Sequence, residues 1–140
     1  MKHEIRSTKY EARNTKQMQM TKIQNSKQYD LEDRTLAFAK KVRAFVNKLP
    51  KTTANIEDGK QLIKASGSVG SNYIEANEAL SKKDFRFRIK ICRKEAKESR
   101  YWLKLVDTQG VSEQEQERKE LEQEATELMN IFGSILRKSE

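Results

Sequence analysis

Apolar residues recur along this chain every three or four positions, which is the spacing of one face of an α-helix. Four stretches show the pattern, and they predict helices at about residues 31–49, 55–79, 82–107 and 113–137. Asp30, Ser81 and Ser112 are the expected N-caps of the first, third and fourth helices, and Pro50 ends the first. Glu115, three residues after Ser112, is expected to complete a capping box there. Amphipathic helices joined by short connections predict an all-α fold, an antiparallel up-down four-helix bundle spanning residues 30–140.

Residues 1–29 differ from the rest because they are polar and basic and show no sustained period. They predict a flexible basic N-terminal arm, with a short helix near Thr15–Ile23. Such an arm can contact phosphates without specificity, or it can be no more than a solvated tail, and the sequence leaves both interpretations open.

The second helix contains an uncharged stretch, Ala65–Ile74, with two glycines. Each glycine inside a helix costs about 1 kcal/mol relative to alanine, so its presence needs a reason. Gly67 and Gly70 lie beside the apolar line of the helix, and small residues there let a facing helix approach closely. The Gly-x-x-Gly spacing also occurs in the phosphate-contacting loop of KH domains, but no flanking strands are predicted here.

The third helix carries a row of seven cations that we call the basic stripe. Its members are spaced alternately three and four apart: Lys83, Arg86, Lys90, Arg93, Lys97, Arg100 and Lys104. They line up over about 30 Å of one helix face, beside a separate apolar seam. A surface of this kind predicts electrostatic contact with nucleic acid.

The fourth helix offers the basic stripe a competing partner. It carries a row of acids with matching spacing: Glu113, Glu117, Glu120, Glu124 and Glu127. Because neighbouring helices of the bundle are antiparallel, the two rows can lie side by side within one subunit or between subunits. The alternative function is therefore a protein-interaction scaffold, whose basic face docks a protein partner or its own fourth helix.

Composition supports a basic, charged helical protein. The net charge is +8 and 36% of the residues are charged, yet residues 108–140 carry 8 acidic and 4 basic groups. A positive excess attracts polyanions, and it equally keeps a protein soluble. The longest uncharged run has ten residues, so we expect no signal peptide, no membrane contact and a cytoplasmic location.

No pattern for catalysis or metal binding is present. His3 is the only histidine and Cys92, which falls in an apolar seam, is the only cysteine, so we expect no metal, no cofactor, no catalytic residue and no enzymatic activity. Glu95 falls within the apolar arc of the third helix and needs a partner such as Arg88 or Asn72. We expect Asn72, Glu75 and Glu95 to form a structural polar network rather than a ligand site.

Two blocks of residues resemble a known family. The first runs from Gln61 to Ala76, and the second combines Ser81–Phe85, Lys94–Ala96 and Tyr101–Leu103. They resemble the bacterial four-helix-bundle family encoded in intervening sequences of 23S ribosomal RNA genes, over about residues 30–137. Many members have proline or alanine where Gly70 stands, and the basic arm is not part of the family pattern.

The resemblance implies a homopentamer, often a barrel with a central channel, and no catalytic residues. A distantly related branch serves as the accessory protein of diversity-generating retroelements, where a basic pentamer binds reverse transcriptase and nucleic acid. Because of the family's genomic setting, RNA is the preferred ligand over DNA. The family name states where the gene lies and does not establish a ribosomal component.

The residue pattern independently favours assembly, because two helices carry apolar or small residues beyond their core seams. The residues expected to serve subunit contact or close packing are Gly67, Gly70, Tyr73, Ile74, Phe87, Tyr101 and Leu105. The sequence therefore predicts a non-enzymatic homo-oligomer that binds nucleic acid through the basic stripe, with a protein partner, including reverse transcriptase, as the alternative.

Overall fold

The computed structural model describes residues 15–140, with their side chains from residue 31 onward. It contains four helices: α1 (Thr15–Lys48), α2 (Thr53–Asn77), α3 (Lys82–Leu105) and α4 (Ser112–Lys138). The described residues form no strand, and α3 packs against both α2 and α4, so the predicted all-α bundle is confirmed. Residues Thr35–Glu140 make up one compact unit.

The start of the first helix differs from the prediction. The helix begins at Thr15 rather than near residue 31, so Asp30 is not its N-cap. Residues 15–29 contain neither glycine nor proline, and nothing in them interrupts a helix. The first fourteen residues of the predicted arm, including His3, lie outside the described residues, and the role of the arm stays a prediction.

Of the N-caps predicted for α3 and α4, one is correct and the other is wrong. The Ser81 hydroxyl accepts a hydrogen bond from the Asp84 backbone N–H at 3.0 Å, which confirms the predicted N-cap of α3. The prediction for Ser112 is wrong, because Val111 is the N-cap of α4 and no side chain caps that end. Glu115, expected to complete the cap, instead accepts hydrogen bonds from Thr108 and Arg118.

The core lies along the centre of the bundle and is made by the predicted apolar seams. Every helix contributes large side chains with at most 2% exposure: Phe38, Val42, Phe45, Leu62, Val69, Ile89, Leu103, Leu128 and Phe132. Cys92 is also fully buried, as its position in the seam predicted. Burial raises the pKa of the Cys92 thiol to about 12, so the sulfur stays protonated at neutral pH.

Helix α2 approaches α1 closely at Gly70. A Cβ atom at Gly70 would lie 2.9 Å from the Thr35 hydroxyl oxygen and 3.2 Å from the Thr35 Cβ. Thr35 is buried and short, so it cannot move aside. At Gly67 the nearest atom to an added Cβ is a terminal nitrogen of Arg43 at 3.2 Å, the end of a flexible and exposed side chain. The close-packing role therefore belongs to Gly70 more than to Gly67.

One end of the bundle is closed by two polar side chains that the sequence did not single out. The buried Asn55 amide donates to the Pro50 and Asp107 carbonyls at 3.0 and 2.8 Å, and its oxygen accepts from the Asp107 N–H at 2.9 Å. Arg118 of α4 donates to the Val106 carbonyl at the C-terminus of α3. These bonds satisfy backbone groups at helix ends and hold the α3–α4 turn against the start of α2.

We predict opposite effects of alanine at the two glycines of α2. Gly70→Ala should lower the free energy of unfolding by about 1 kcal/mol or more, because overpacking outweighs the gain in helix propensity. Gly67→Ala, the matched control, should raise it by up to about 1 kcal/mol, because the Arg43 side chain can move. Urea denaturation measures both, and equal effects would contradict the close approach at Gly70.

We also predict that Cys92 does not react in the folded protein. Alkylation needs the thiolate, and both the raised pKa and the burial of the sulfur suppress it. Native protein at pH 8 should therefore resist iodoacetamide, while protein in denaturant should be modified at one site. The raised pKa implies that this protection weakens only as the pH rises toward 12. Rapid native labelling at pH 8, followed by mass spectrometry, would contradict the buried position.

Candidate nucleic-acid interface

The basic stripe runs along the whole length of α3, and its two residue types occupy different positions. The four lysines, Lys83, Lys90, Lys97 and Lys104, recur every seven residues and are all exposed. The three arginines also recur every seven residues; Arg93 is exposed, whereas Arg86 and Arg100 are half-buried. A seven-residue repeat drifts only slightly around a helix, so the lysines form one row and the arginines a second row beside it.

The row of arginines faces α4. Arg86 donates to the Leu136 carbonyl and to the Ser139 hydroxyl, both at 2.6 Å, at the C-terminus of α4. Arg100 donates to the Thr126 hydroxyl at 3.1 Å. Between them, Arg93 passes beside Gly133 of α4, where an added Cβ would lie 3.9 Å from its side chain. A guanidinium at a helix C-terminus is favourable because that end carries partial negative charge.

The acidic row of α4 lies on the opposite side of that helix. Glu117 forms an ion pair with Lys48 of α1 at 2.7 Å, and the three- and four-residue spacing places Glu113 and Glu120 on the same face as Glu117. In the part of the chain that the structure describes, no member of the basic stripe forms an ion pair. Pairing of the two rows within one subunit, one of the possibilities that the sequence left open, is therefore not what the structure shows.

The predicted polar network is replaced by a different one. Arg88 of α3 donates to the Asn72 side-chain oxygen of α2 at 3.0 Å, and the Asn72 amide donates to the Ser68 carbonyl and hydroxyl. Glu75 is exposed and takes no part in these bonds. The half-buried Glu95 lies 4.0 Å from Lys94 and bonds neither Asn72 nor Arg88.

The surroundings of Glu95 raise the pKa of its carboxyl. Desolvation by burial, followed by the nearby Glu98, raises the pKa of the Glu95 carboxyl, while Lys94 and Lys64 oppose that rise. The carboxyl therefore binds a proton more readily than an exposed one.

The residues expected at a subunit interface divide between the core and the surface. Tyr73 is buried, and its ring lies 6.0 Å from that of Phe132, so it belongs to the bundle core. Gly67 and Gly70 face α1 of the same chain. The exposed members are about half accessible: Ile74 at 52%, Phe87 at 57%, Tyr101 at 58% and Leu105 at 48%. Helical spacing places the last three on the outward face of α3.

A recess of about 410 Å³ opens at the first two turns of α3. It is lined by four cations and one aromatic ring: Lys82, Lys83, Arg86, Phe87 and Lys90. Phe87, predicted to serve subunit contact, thus lies in one surface feature with three members of the basic stripe.

The described residues show no feature typical of a metal site or of a membrane-spanning helix. They contain no cluster of three or more metal-ligating side chains. None of their helices is both long and apolar enough to cross a membrane.

Comparison with known proteins identifies the family. The family model described as 23S rRNA-intervening sequence protein matches residues 27–134, which include most of α1 and all of α2 and α3. The chain belongs to this family. No curated protein sequence matches it.

A solved structure supports the same assignment. The crystal structure of a protein with unknown function from the S23 ribosomal protein family of Bacteroides thetaiotaomicron is similar, with a TM-score of 0.65 and 29% sequence identity. The similarity covers 75% of this chain and 96% of that one. Neither the 23S rRNA-intervening sequence family nor this relative indicates an enzyme.

We predict that the arginine row and the lysine row contribute differently to the free energy of unfolding. Arg86→Ala should lower the free energy of unfolding by about 1–2 kcal/mol, because two charge-assisted hydrogen bonds to α4 are lost. Lys83→Ala, its matched control three residues away, should change it by less than about 0.5 kcal/mol. Thermal and urea denaturation measure both. An equal and small effect would show that Arg86 does not hold α3 to α4.

Proposed function

We propose that the protein is a non-enzymatic homo-oligomer that binds nucleic acid, RNA in preference to DNA, through the lysine row of α3. One observation carries the proposal: Lys83, Lys90, Lys97 and Lys104 are exposed in a straight row, and none has an ion-pair partner among the described residues. Unpaired cations close together repel one another, and an anionic polymer relieves that repulsion.

The dimensions of the row suit a nucleic-acid backbone. Lys83 and Lys104 are 21 residues apart, which is about 32 Å along a helix. A backbone that follows α3 can therefore meet successive lysines, and contacts of this kind are electrostatic and weakly sequence-specific. The preference for RNA rests on the family's description as 23S rRNA-intervening sequence protein.

Oligomerisation is the second part of the proposal. The exposed apolar side chains on the outward faces of α2 and α3 support subunit contacts, and the family resemblance suggests five subunits. A closed ring repeats the lysine row around its surface and so multiplies the phosphate contacts available to one RNA. Light scattering of the purified protein measures the mass directly, and a monomer at all accessible concentrations would contradict this part.

The alternative is a scaffold whose basic face docks an acidic protein, such as a reverse transcriptase. The exposed Phe87, Tyr101 and Leu105 favour it, because aromatic residues are enriched in protein interfaces. An acidic partner would be displaced by salt in the same way as RNA, so binding has to be measured with RNA itself.

The decisive experiment reverses the charge of the lysine row. The variant K83E/K90E/K97E/K104E changes the net charge from +8 to about zero without touching the arginines that contact α4. The control K40E/K41E/K51E/K60E makes the same change at exposed positions of α1, α2 and the loop between them. Filter binding of an RNA oligonucleotide should be lost in the first variant and largely kept in the control.

The salt dependence gives a second, quantitative readout. Each phosphate contact with a single strand contributes about −0.7 to the slope of log K against log salt, so losing four lysines should reduce the slope by up to about 3. Equal weakening in both variants would show that only net charge matters. Absence of any binding by the unmodified protein at about 50 mM salt would overturn the proposal.

A further inference from the structure

The sequence of α3 contains a repeated unit that combines the lysine row with exposed aromatic rings. Residues 83–90 and 97–104 both read Lys-x-x-Arg-aromatic-x-x-Lys, with Phe87 in the first unit and Tyr101 in the second. The heptad between them has the same form, but Lys94 stands at the aromatic position. Each ring is thus preceded by an arginine and framed by two lysines of the basic stripe.

Both rings point away from the core of the bundle. Phe87 is 57% exposed and Tyr101 is 58% exposed, and they are 14 residues apart, or about 21 Å along the helix. Phe87 lies in the recess of about 410 Å³ together with Lys83 and Lys90. An exposed ring contributes little to the stability of the hydrophobic core, so we look for its role in contacts at the surface.

The contacts of the two rings hold them in place without covering them. The Arg88 guanidinium carbon lies 5.9 Å from the centre of the Phe87 ring, at the outer limit of a cation–π contact. Trp102 meets Tyr101 with its ring at 77° and the centroids 5.1 Å apart. Phe87 and Tyr101 each keep more than half of their residue surface accessible, which leaves room for a flat group to stack.

The surrounding charge distinguishes between two kinds of occupant. The cores of protein interfaces are depleted in lysine, yet each ring here has lysines both four residues before it and three residues after it. Surfaces that bind single-stranded nucleic acid combine these two features, because cations follow the phosphates while aromatic rings stack with the bases. In a duplex the bases are stacked on one another and are not available to such rings.

We infer that α3 binds single-stranded nucleic acid, with bases stacked on Phe87 and Tyr101 and the flanking lysines on the phosphates. This inference rests on the proposed function and makes it more specific, because it names the single strand as the ligand. Lys94 at the middle position supplies a further cation between the two stacking sites.

The test compares four proteins and three ligands. The proteins are the unmodified chain, F87L/Y101L, the control L36A/L80A and the lysine-row variant. Leucine keeps an apolar side chain at the stacking positions, while Leu36 and Leu80 are exposed apolar residues without a ring and outside α3. The ligands are a single-stranded RNA of mixed sequence, the same strand with abasic sites throughout, and the corresponding RNA duplex.

We expect F87L/Y101L to bind the single strand at least about fivefold more weakly for each lost ring, and about 25-fold more weakly for both. The unmodified protein should lose a similar factor when the bases are removed, whereas F87L/Y101L should not distinguish the abasic strand from the normal one. Duplex binding should be unchanged by F87L/Y101L, and L36A/L80A should bind all three ligands as the unmodified protein does.

The outcomes separate this inference from the proposed function. If the lysine-row variant loses binding but the abasic strand binds as well as the normal one, the stacking inference is wrong and the electrostatic function stands. If the unmodified protein binds none of the ligands, both are wrong. If F87L/Y101L changes the mass measured by light scattering, the rings form a contact between protein copies, and the inference is again wrong.

Discussion

Burial of the apolar seam of α3 between α2 and α4 orients the surface on which the candidate function depends. Ile89, Cys92 and Leu103 in that seam are completely buried. Because a helix is rigid, fixing the direction of one face fixes the direction of every other. The lysine row must then lie on the solvent side next to α4, and Phe87 and Tyr101 must point outward. The surface chemistry is a consequence of how the core packs.

The arginines and the lysines of the basic stripe have different surroundings. Arg86 and Arg100 bind oxygen atoms of α4, while the lysines extend into solvent. The residue types suit these tasks, since a guanidinium donates several directed hydrogen bonds and an ammonium remains strongly hydrated. Glu117 pairs with Lys48 of α1 on the far side of α4, so this acid does not neutralise the lysine row. Cations that neighbouring acids do not neutralise attract an external anion more effectively than a mixed surface does.

Small residues in α2 serve contacts within the chain. Gly70 allows α1 to approach, and Tyr73 fills the core against Phe132. Most of the small and apolar residues on α2 are therefore buried within the same chain, and Ile74 remains exposed. Three exposed apolar side chains, Phe87, Tyr101 and Leu105, share the outward face of α3 with the lysine row. The surrounding cations favour an anionic ligand over a second protein surface there.

The sequence alone was sufficient for the fold class, the four seams, the Ser81 cap and the buried Cys92, because these follow from local periodicity and local hydrogen bonding. The sequence was insufficient for the start of α1, because no residue interrupts the helix before residue 31. It was also insufficient for Glu115, because Thr108 and Arg118 bond this carboxylate in place of the expected cap. Only the tertiary structure decided that Glu117 pairs with Lys48 of α1, that Asn72 bonds Arg88, and that two arginines of the basic stripe bond α4 while its four lysines are exposed. Helical spacing says which residues share a face, but the packing of the neighbouring helices decides what that face meets.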